Sequence, residues 1–600
     1  MTDRPPDPEL VWTPDGSPRS GRFGDVYFSA EDGLAESRAV FLQGCALPEA
    51  WAGRRRFTVG ELGFGTGLNV LALLELWRRA RPPGGRLHVF SVEAFPMTRE
   101  EAARAHGRWP ELRDVSAPLL ERWPARTPGF HRVDLPEFDA TLDLAVMEAG
   151  EALARWSGRA DAWFLDGFSP ALNPQMWRDE LLAAVAARSA PGARAATFTV
   201  AGAVRRGLQA AGFTVDKRPG FGRKRERLEA VFPGDPPHQT APRVVVVGAG
   251  IAGASLARAF STLGAEPLVL DRAGAGAGAS GNPAALVTPR LDAGGGPVAD
   301  LHAQALERAA ALYALEAPAG VIARGVTQLE QTERDARRFD RVAAQPLWPD
   351  GAMQRLDAQA ASAALGEPVG RGGLLMSQAL TVRPGEILCR FLGDAQVVSG
   401  EVAAVEASDH GWRLLDPAGA LIAEAEVVCL AAGWSPGLAG GAPLSPVRGQ
   451  ASWVEGVDAP PAVAWGGYAA PTGTGLLFGS THDRGDTGDE PRPQDDRRNL
   501  ETLAAALPAR AARIDPAKVQ GRASVRATTP DRLPLAGGLA TGLYVLGGLG
   551  SRGFATAPLL AEHVAALALG APSPLPSDLA KAVSPERFQP PGFSAERAGR

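Results

Sequence analysis

The chain has 600 residues, a formal net charge of −5, 45% hydrophobic and 22% charged residues. That length predicts several domains, and the composition is that of ordinary globular protein. The slight acidity argues against a globally basic nucleic-acid binder but leaves room for a local basic patch.

Three cysteines, Cys45, Cys389 and Cys429, lie far apart with no CxxC. This argues against a disulfide framework or a cysteine zinc site and suits a reducing cytoplasm. No apolar run reaches the ~18 residues of a membrane span. The polar, proline-rich start MTDRPPDPEL does not read as a signal peptide. A cytoplasmic protein, off the membrane and with no metal site, is expected.

Residues 1 to about 25 read as an extended arm and DVYFS (25–29) as a short strand. Residues 57–62 form a strand that runs into ELGFGTGLNVLALLELW. Glu61, Gly63, Gly65 and Gly67 make a glycine-rich turn, and residues 68–77 read as the following helix. The next strand, LHVFSVEAFP, leads to Glu93. The spacing E-x-G-x-G-x-G suits S-adenosylmethionine rather than a dinucleotide. Its glycines let backbone meet the methionine part, and Glu93 is expected at the ribose hydroxyls. A nucleotide-binding turn of another kind is the alternative.

LDLAVMEAGEALARW supplies a strand, a turn and Glu151, expected at the adenine amino group. DAWFLDGFSPALNPQMW is an apolar strand ending at Asp166. A carboxylate at the carboxyl end of a strand in an open α/β sheet lies where ligands bind. Two prolines and an asparagine nearby favour a shaped active-site loop over a simple helix cap. Asp166 is therefore an expected catalytic residue. Further on, Arg205, Arg206, Lys217, Arg218, Arg223, Lys224, Arg225 and Arg227 are interleaved with Phe213 and Phe221. The strip reads either as a solvated face or as a phosphate-backbone contact through Arg223, Lys224 and Arg225.

PGDPPHQTAP (233–242) breaks all periodicity and separates an expected domain 1–235 from a domain 243–600, with 236–242 as linker. The second domain opens on RVVVVGAGIAGASLARAFSTLGAEPLVLDR. Here a buried strand precedes Gly248, Gly250 and Gly253, and a helix and second strand lead to Asp271. The glycines allow a tight turn and bring N–H groups to a pyrophosphate at a helix N-terminus, while Asp271 suits ribose hydroxyls. Next comes a glycine-crowded loop with GASGN and Ser280. Its first part, 274–278, also reads as a low-complexity linker. Residues of roughly 320–380 and 445–515 look like a β-rich substrate layer. EAEVVCLAAGWSP is a buried strand leading to Gly433. Gly547, Gly548, Gly550 and Gly553 precede a helix whose N-terminus suits partial negative charge on a reduced flavin ring. Arg526, Asp531, Ser551 and Arg552 are the polar groups expected to meet cofactor or substrate. The proline-rich tail after Gly570 is expected to wrap loosely.

GELGFGTGLN, DAWFLDGFSPALNPQMW, GFGRKRE, GAGIAGASLA, GASGN, LSPVRGQ, VRATTPDRLP and GLGSRGFATAPLLAE together resemble the family of bifunctional tRNA 5-methylaminomethyl-2-thiouridine biosynthesis proteins. The resemblance runs from about residue 12 to 588. It implies a Rossmann-like methyltransferase domain using S-adenosyl-L-methionine, fused to an FAD-binding oxidoreductase domain of the glycine and D-amino-acid oxidase type with a β-rich substrate subdomain.

It also implies a tRNA partner and two reactions on the wobble uridine. FAD-dependent oxidation of the secondary amine of a carboxymethylaminomethyl group gives an imine, whose hydrolysis by water leaves an aminomethyl group and glyoxylate, and the primary amine is then methylated. In such flavoproteins the loop holding Ser280 closes over the pyrophosphate. No cysteine lies in a flavin-binding motif, so non-covalent FAD is expected. Glu151 stands where the family carries an aspartate after a glycine. The competing reading is a fused small-molecule amine methyltransferase and amino-acid oxidase.

Overall fold

The computed structural model describes residues 7–29, 31–222, 225–236, 238–239, 241–439, 441–458 and 461–588. The chain divides into two compact units: Met1–Thr240 with Ala571–Ser577, and Ala241–Gly570 with Asp578–Arg600. Among the described residues no helix is long and apolar enough to cross a membrane, and no histidine, cysteine or carboxylate cluster would hold a metal ion.

The first unit is built on an eight-stranded sheet. Its order is Gly129–Leu135, Ala140–Val146, Arg86–Val92, Arg56–Leu62, Ala160–Leu165, Ser189–Thr197, Glu226–Val231 and Thr214–Pro219. The five strands from Ala140–Val146 to Ser189–Thr197 pair in parallel. Helices cover both faces, so the central strands are near-continuous apolar runs. Every residue from Phe57 to Leu62 is buried. Strand order reverses between Arg56–Leu62 and Ala160–Leu165, and a ligand crevice opens at such a switch point.

The arm is not extended. Leu10–Trp12 pairs with Pro18–Ser20 in a hairpin. Residues 25–29 form no strand: Val26 makes one isolated bridge to Arg19. Short alternation in DVYFS mimics a strand, yet Phe28 buries in the core beside Trp109 and Tyr27 packs on Phe168.

The second unit carries a six-stranded sheet ordered Gln396–Ser399, Pro267–Asp271, Val244–Val247, Val427–Leu430, Leu543–Gly547 and Leu535–Ala540. Only the last pairing is antiparallel. Order again reverses beside Val244–Val247. The β-rich layer is a single ten-stranded sheet that also recruits Ala285–Val287 and Gln520–Thr528.

Three helices, Ile251–Thr262, Pro297–Glu316 and Gly553–Leu569, meet around the buried Glu562. Arg308 donates to Glu562 through Nε at 2.9 Å and Nη2 at 2.5 Å, and Arg258 is a second partner. A buried carboxylate held by two guanidiniums satisfies the charges that burial would otherwise leave unpaired.

The described part of the tail, up to Phe588, is folded, contrary to the loose wrap expected. It forms a helix Ser577–Val583 and a 3-10 turn Pro585–Phe588. Leu575 is fully buried, so apolar anchoring overrides the proline content. Ala571–Ser577 completes the first unit, where Arg132 donates to the Pro572 carbonyl at 3.3 Å.

Candidate functional sites

In the first unit, the turn after Arg56–Leu62 is fastened to the neighbouring strand: the N–H groups of Gly63 and Phe64 both donate to the Val92 carbonyl at 3.0 Å. Gly63, Gly65 and Gly67 all have positive φ, which is why side-chain-bearing residues would strain this turn. Glu93 lies just past its strand, where Oε2 accepts from the Gly65 N–H at 2.8 Å and Oε1 from the Phe95 N–H at 2.9 Å. Burial pushes the Glu93 carboxyl above its usual range.

Glu61 lies beneath the turn, fully buried, and accepts from Ser91 Oγ at 2.5 Å. Burial pushes its pKa up to about 8, and Asp166 adds to the rise. Asp166 sits directly after Ala160–Leu165, across the switch point from the glycine turn: a Cβ on Gly63 would lie 3.4 Å from its carbonyl oxygen. Its Oδ2 accepts from Asn69 Nδ2 at 2.8 Å and its Oδ1 from the Gly167 N–H at 2.8 Å.

Glu151 is not at the end of a strand. It lies in the first turn of helix Ala149–Arg155, its side chain exposed and ion-paired with Arg155 at 3.2 Å. The acid nearest the end of Ala140–Val146 is Glu148, which caps that helix by accepting from the Glu151 N–H at 3.1 Å. Sequence reading passed over Glu148 because it looked for an acid after a glycine.

It also passed over Asn69, although it is the last residue of GTGLN. The arm expected over residues 1 to about 25 reaches the site, which its sequence does not signal: Asp25 Oδ2 accepts from the Ser169 N–H at 2.9 Å, in the loop that follows Asp166.

In the second unit, Gly248 and Gly253 are required for packing. A Cβ on Gly253 would collide with the Gly248 carbonyl, and one on Gly248 with the Ala431 carbonyl. Helix Ile251–Thr262 can therefore begin right at the strand end, with Gly250 as its N-cap. Asp271 braces this turn: Oδ2 accepts from the Ala249 N–H at 2.7 Å, and Oδ1 from the N–H groups of Ala273 and Gly274. Ser280 Oγ accepts from the Ile251 N–H at 3.0 Å.

A cavity of about 1190 Å³ joins Gly248, Gly250, Asp271, Ser280, Gly433, Arg526, Gly548, Gly550, Ser551 and Arg552. Gly253 lies below it, inside the helix. The glycine-crowded loop is no free linker. Arg522, absent from the expected set, donates from Nη2 to the carbonyls of Ala277 at 2.6 Å and Gly278 at 2.7 Å.

Arg526 faces the cavity and donates to Ser480 Oγ at 2.9 Å. Among the described residues no carboxylate ion-pairs with it, and burial lowers its pKa. Burial lowers that of Arg552 as well. Asp531 is turned away from the cavity and ion-pairs with Arg587 at 2.8 Å, so the role expected for it does not hold. Walls of backbone N–H groups, glycines a Cβ would fill, and an unpaired guanidinium fit a dinucleotide-type flavin and an anionic substrate.

Arg223 and Lys224 lie outside the described residues; Arg225 is exposed. The neighbouring cations are partly spoken for. Lys217 pairs with Glu226 at 2.7 Å and Arg227 with Glu229 at 2.6 Å. Phe213 is buried in one core cluster and Phe221 packs, partly buried, against another, so neither ring stands out from the strip.

An S-adenosyl-L-methionine-dependent methyltransferase family matches residues 110–233, and the FAD dependent oxidoreductase family matches residues 243–567. The chain is 59% identical over 593 residues to the tRNA 5-methylaminomethyl-2-thiouridine biosynthesis bifunctional protein of Caulobacter vibrioides, covering 98% of this chain and 99% of that one. It is 43% identical over 600 residues to the protein of that name from Maricaulis maris, covering 99% and 97%. Among solved structures, glycine oxidase from Geobacillus kaustophilus aligns with 21% identity and a TM-score of 0.49, over 55% of this chain and 95% of that one. The chain belongs to the family of bifunctional tRNA 5-methylaminomethyl-2-thiouridine biosynthesis proteins, and it joins an S-adenosylmethionine-dependent methyltransferase to an FAD-dependent oxidoreductase.

Proposed function

We propose that residues 243–600 oxidise the secondary amine of a carboxymethylaminomethyl group on the wobble uridine of tRNA, and that residues 1–235, joined through 236–242, methylate the primary amine released. The observation that carries this reading is the half-buried guanidinium of Arg526, which has no carboxylate partner among the described residues and faces a cavity walled by the flavin turn. A carboxylate beside the reacting C–H bond is what distinguishes this substrate from a plain amine, and an arginine with no carboxylate partner among the described residues suits it.

Bound FAD accepts the electrons of that C–H bond, and bound S-adenosylmethionine supplies the methyl group. The remaining work falls to side chains and backbone. Gly248, Gly250, Ser280 and the N-terminus of Ile251–Thr262 would seat the pyrophosphate, with Gly253 letting the helix start this close to the strand. Asp271 braces the turn at the ribose end. Gly433, Gly548, Gly550, Ser551 and Arg552 line the ring end. In the first unit Gly63, Gly65 and Gly67 meet the methionine part, Glu61 supports them from below, and Glu93 serves the ribose. Glu148, at the strand end, serves the adenine better than Glu151. Asp166 takes a proton from the substrate ammonium and aims the lone pair. Arg223, Lys224 and Arg225 meet tRNA phosphates. A tRNA substrate and three free cysteines support a cytoplasmic protein.

The test is mass analysis of tRNA nucleosides after incubation with purified protein. Without S-adenosylmethionine, carboxymethylaminomethyluridine should become aminomethyluridine with release of glyoxylate. With it, methylaminomethyluridine should appear. Oxidation of free amino acids alongside unchanged wobble uridine would favour the small-molecule reading.

A further inference from the structure

Four aromatic rings meet beside Asp166, and the chemistry described so far uses none of them. Phe168 lies two residues beyond Asp166, and Phe95 two beyond Glu93. The other two come from the arm. Phe23 stands 4.9 Å from Phe168 and 5.6 Å from Phe95, centroid to centroid, and Tyr27 stands 5.2 Å from Phe168. None of the four is fully buried. Tyr27 also borders the glycine turn, 3.1 Å from where a Cβ on Gly65 would lie. The arm is pinned in this place by Asp25 on the Ser169 N–H, and the Arg22 guanidinium lies 4.6 Å above the Phe95 ring.

Beyond the rings the crevice edge stays apolar. Leu172 is 47% exposed in the loop after Asp166, and Val200 is 36% exposed just past the parallel strand next to it.

The accepting nitrogen hangs one carbon from a pyrimidine ring. When that nitrogen reaches Asp166, the ring itself must lie against whatever borders Asp166. A base in an anticodon loop must leave its stack to get there, and single-stranded bases are received on aromatic faces. We propose that Phe23, Phe95 and Phe168 form the platform on which the pyrimidine ring of the wobble nucleotide lies during methyl transfer, with Arg22 taking the adjoining phosphate. The arm is then a substrate-binding element. This rests on the reading that the first unit methylates wobble uridine.

The test uses full-length protein and two anticodon stem–loop RNAs. One carries 5-aminomethyl-2-thiouridine at the wobble position and the other is abasic there. Wild type should bind the base-bearing RNA more tightly, by roughly 5- to 150-fold for one stacked base. Phe23→Ala and Phe168→Ala should bring the two RNAs to nearly equal affinity. Phe23→Leu, which keeps apolar volume without a π face, should lie between them. S-adenosylmethionine affinity should stay within about twofold.

Equal binding of both RNAs by wild type would overturn the platform. So would alanine variants that weaken both RNAs alike, or that lose the cofactor, because the rings would then serve the backbone, the fold or the nucleoside of S-adenosylmethionine. Failure of wild type to methylate the base-bearing RNA at all would strike the underlying reading instead.

Discussion

Asn69 donates its side-chain amide to Asp166 Oδ2 at 2.8 Å, and its own amide oxygen accepts from Ser37 Oγ at 2.7 Å. A carboxylate accepts, so it draws the amide NH2 towards Asp166 and leaves the amide oxygen to the Ser37 hydroxyl, which can donate or accept. With the Gly167 N–H on the other oxygen, the carboxylate is held in one orientation across the crevice from the glycine turn. The residue that starts the cofactor helix thereby aims the group expected to accept the proton.

Asp166→Asn keeps the side-chain volume and removes the basicity, at the cost of one of the two hydrogen bonds, since its NH2 cannot accept from Asn69 or the Gly167 N–H. General-base catalysis contributes roughly 100- to 10,000-fold, so methyl transfer should fall by about that range. S-adenosylmethionine should still bind, and aminomethyluridine should accumulate in tRNA. Raising the pH should partly restore methylation by supplying neutral amine. Nucleoside mass analysis and cofactor titration check this; near-normal methylation would remove Asp166 from the chemistry.

Glu61 should leave a signature in stability. Its pKa is pushed up to about 8 by burial, whereas an unfolded glutamate titrates near ~4.3. Between those values the folded state holds a proton that the unfolded chain has released, so stability falls as pH rises through that window. Glu61→Gln stays neutral throughout. Melting temperatures of the cofactor-free proteins, measured from about pH 5 to about pH 8, should shift steadily in favour of the glutamine variant. A constant difference would mean that Glu61 ionises normally.

Gly449 and Arg526 lie on paired strands, and Arg526 leans across Gly449 so closely that a Cβ there would overlap the guanidinium. Gly449→Ala should displace Arg526 without touching the flavin turn. Arg526→Met removes the charge outright. A charge-assisted hydrogen bond is worth about 1.5–3 kcal/mol, so kcat/KM for carboxymethylaminomethyl-tRNA should drop by roughly 10- to 150-fold in the methionine variant. The visible flavin spectrum should remain. Loss of colour would make Arg526 a cofactor residue.

Replacing Arg223, Lys224 and Arg225 with alanine should weaken tRNA binding and flatten its dependence on salt, because fewer counterions are released. S-adenosylmethionine affinity should be little changed. A salt series that gives the same slope as wild type would make this strip an ordinary solvated face.

Both nucleotide-type turns were legible because their signal is local. A buried apolar strand, glycines at fixed spacing, a helix and an acid all fall within about thirty residues, and covalent geometry alone forces them to one edge of a sheet. The same locality placed Asp166 at a strand end.

What the tertiary structure decided lies far apart in the chain. Asp25 meets Ser169, Arg522 clamps the loop at Ala277 and Gly278, Gly449 makes room for Arg526, and Ala571–Ser577 returns to the first unit. No periodicity links such partners, since each is chosen by packing once the sheets exist. The adenine-side acid illustrates the difference. Glu148 and Glu151 are three residues apart and chemically alike, but one sits at the turn out of the strand and the other on the exposed face of a helix. Only where the strand stops and the helix begins tells them apart.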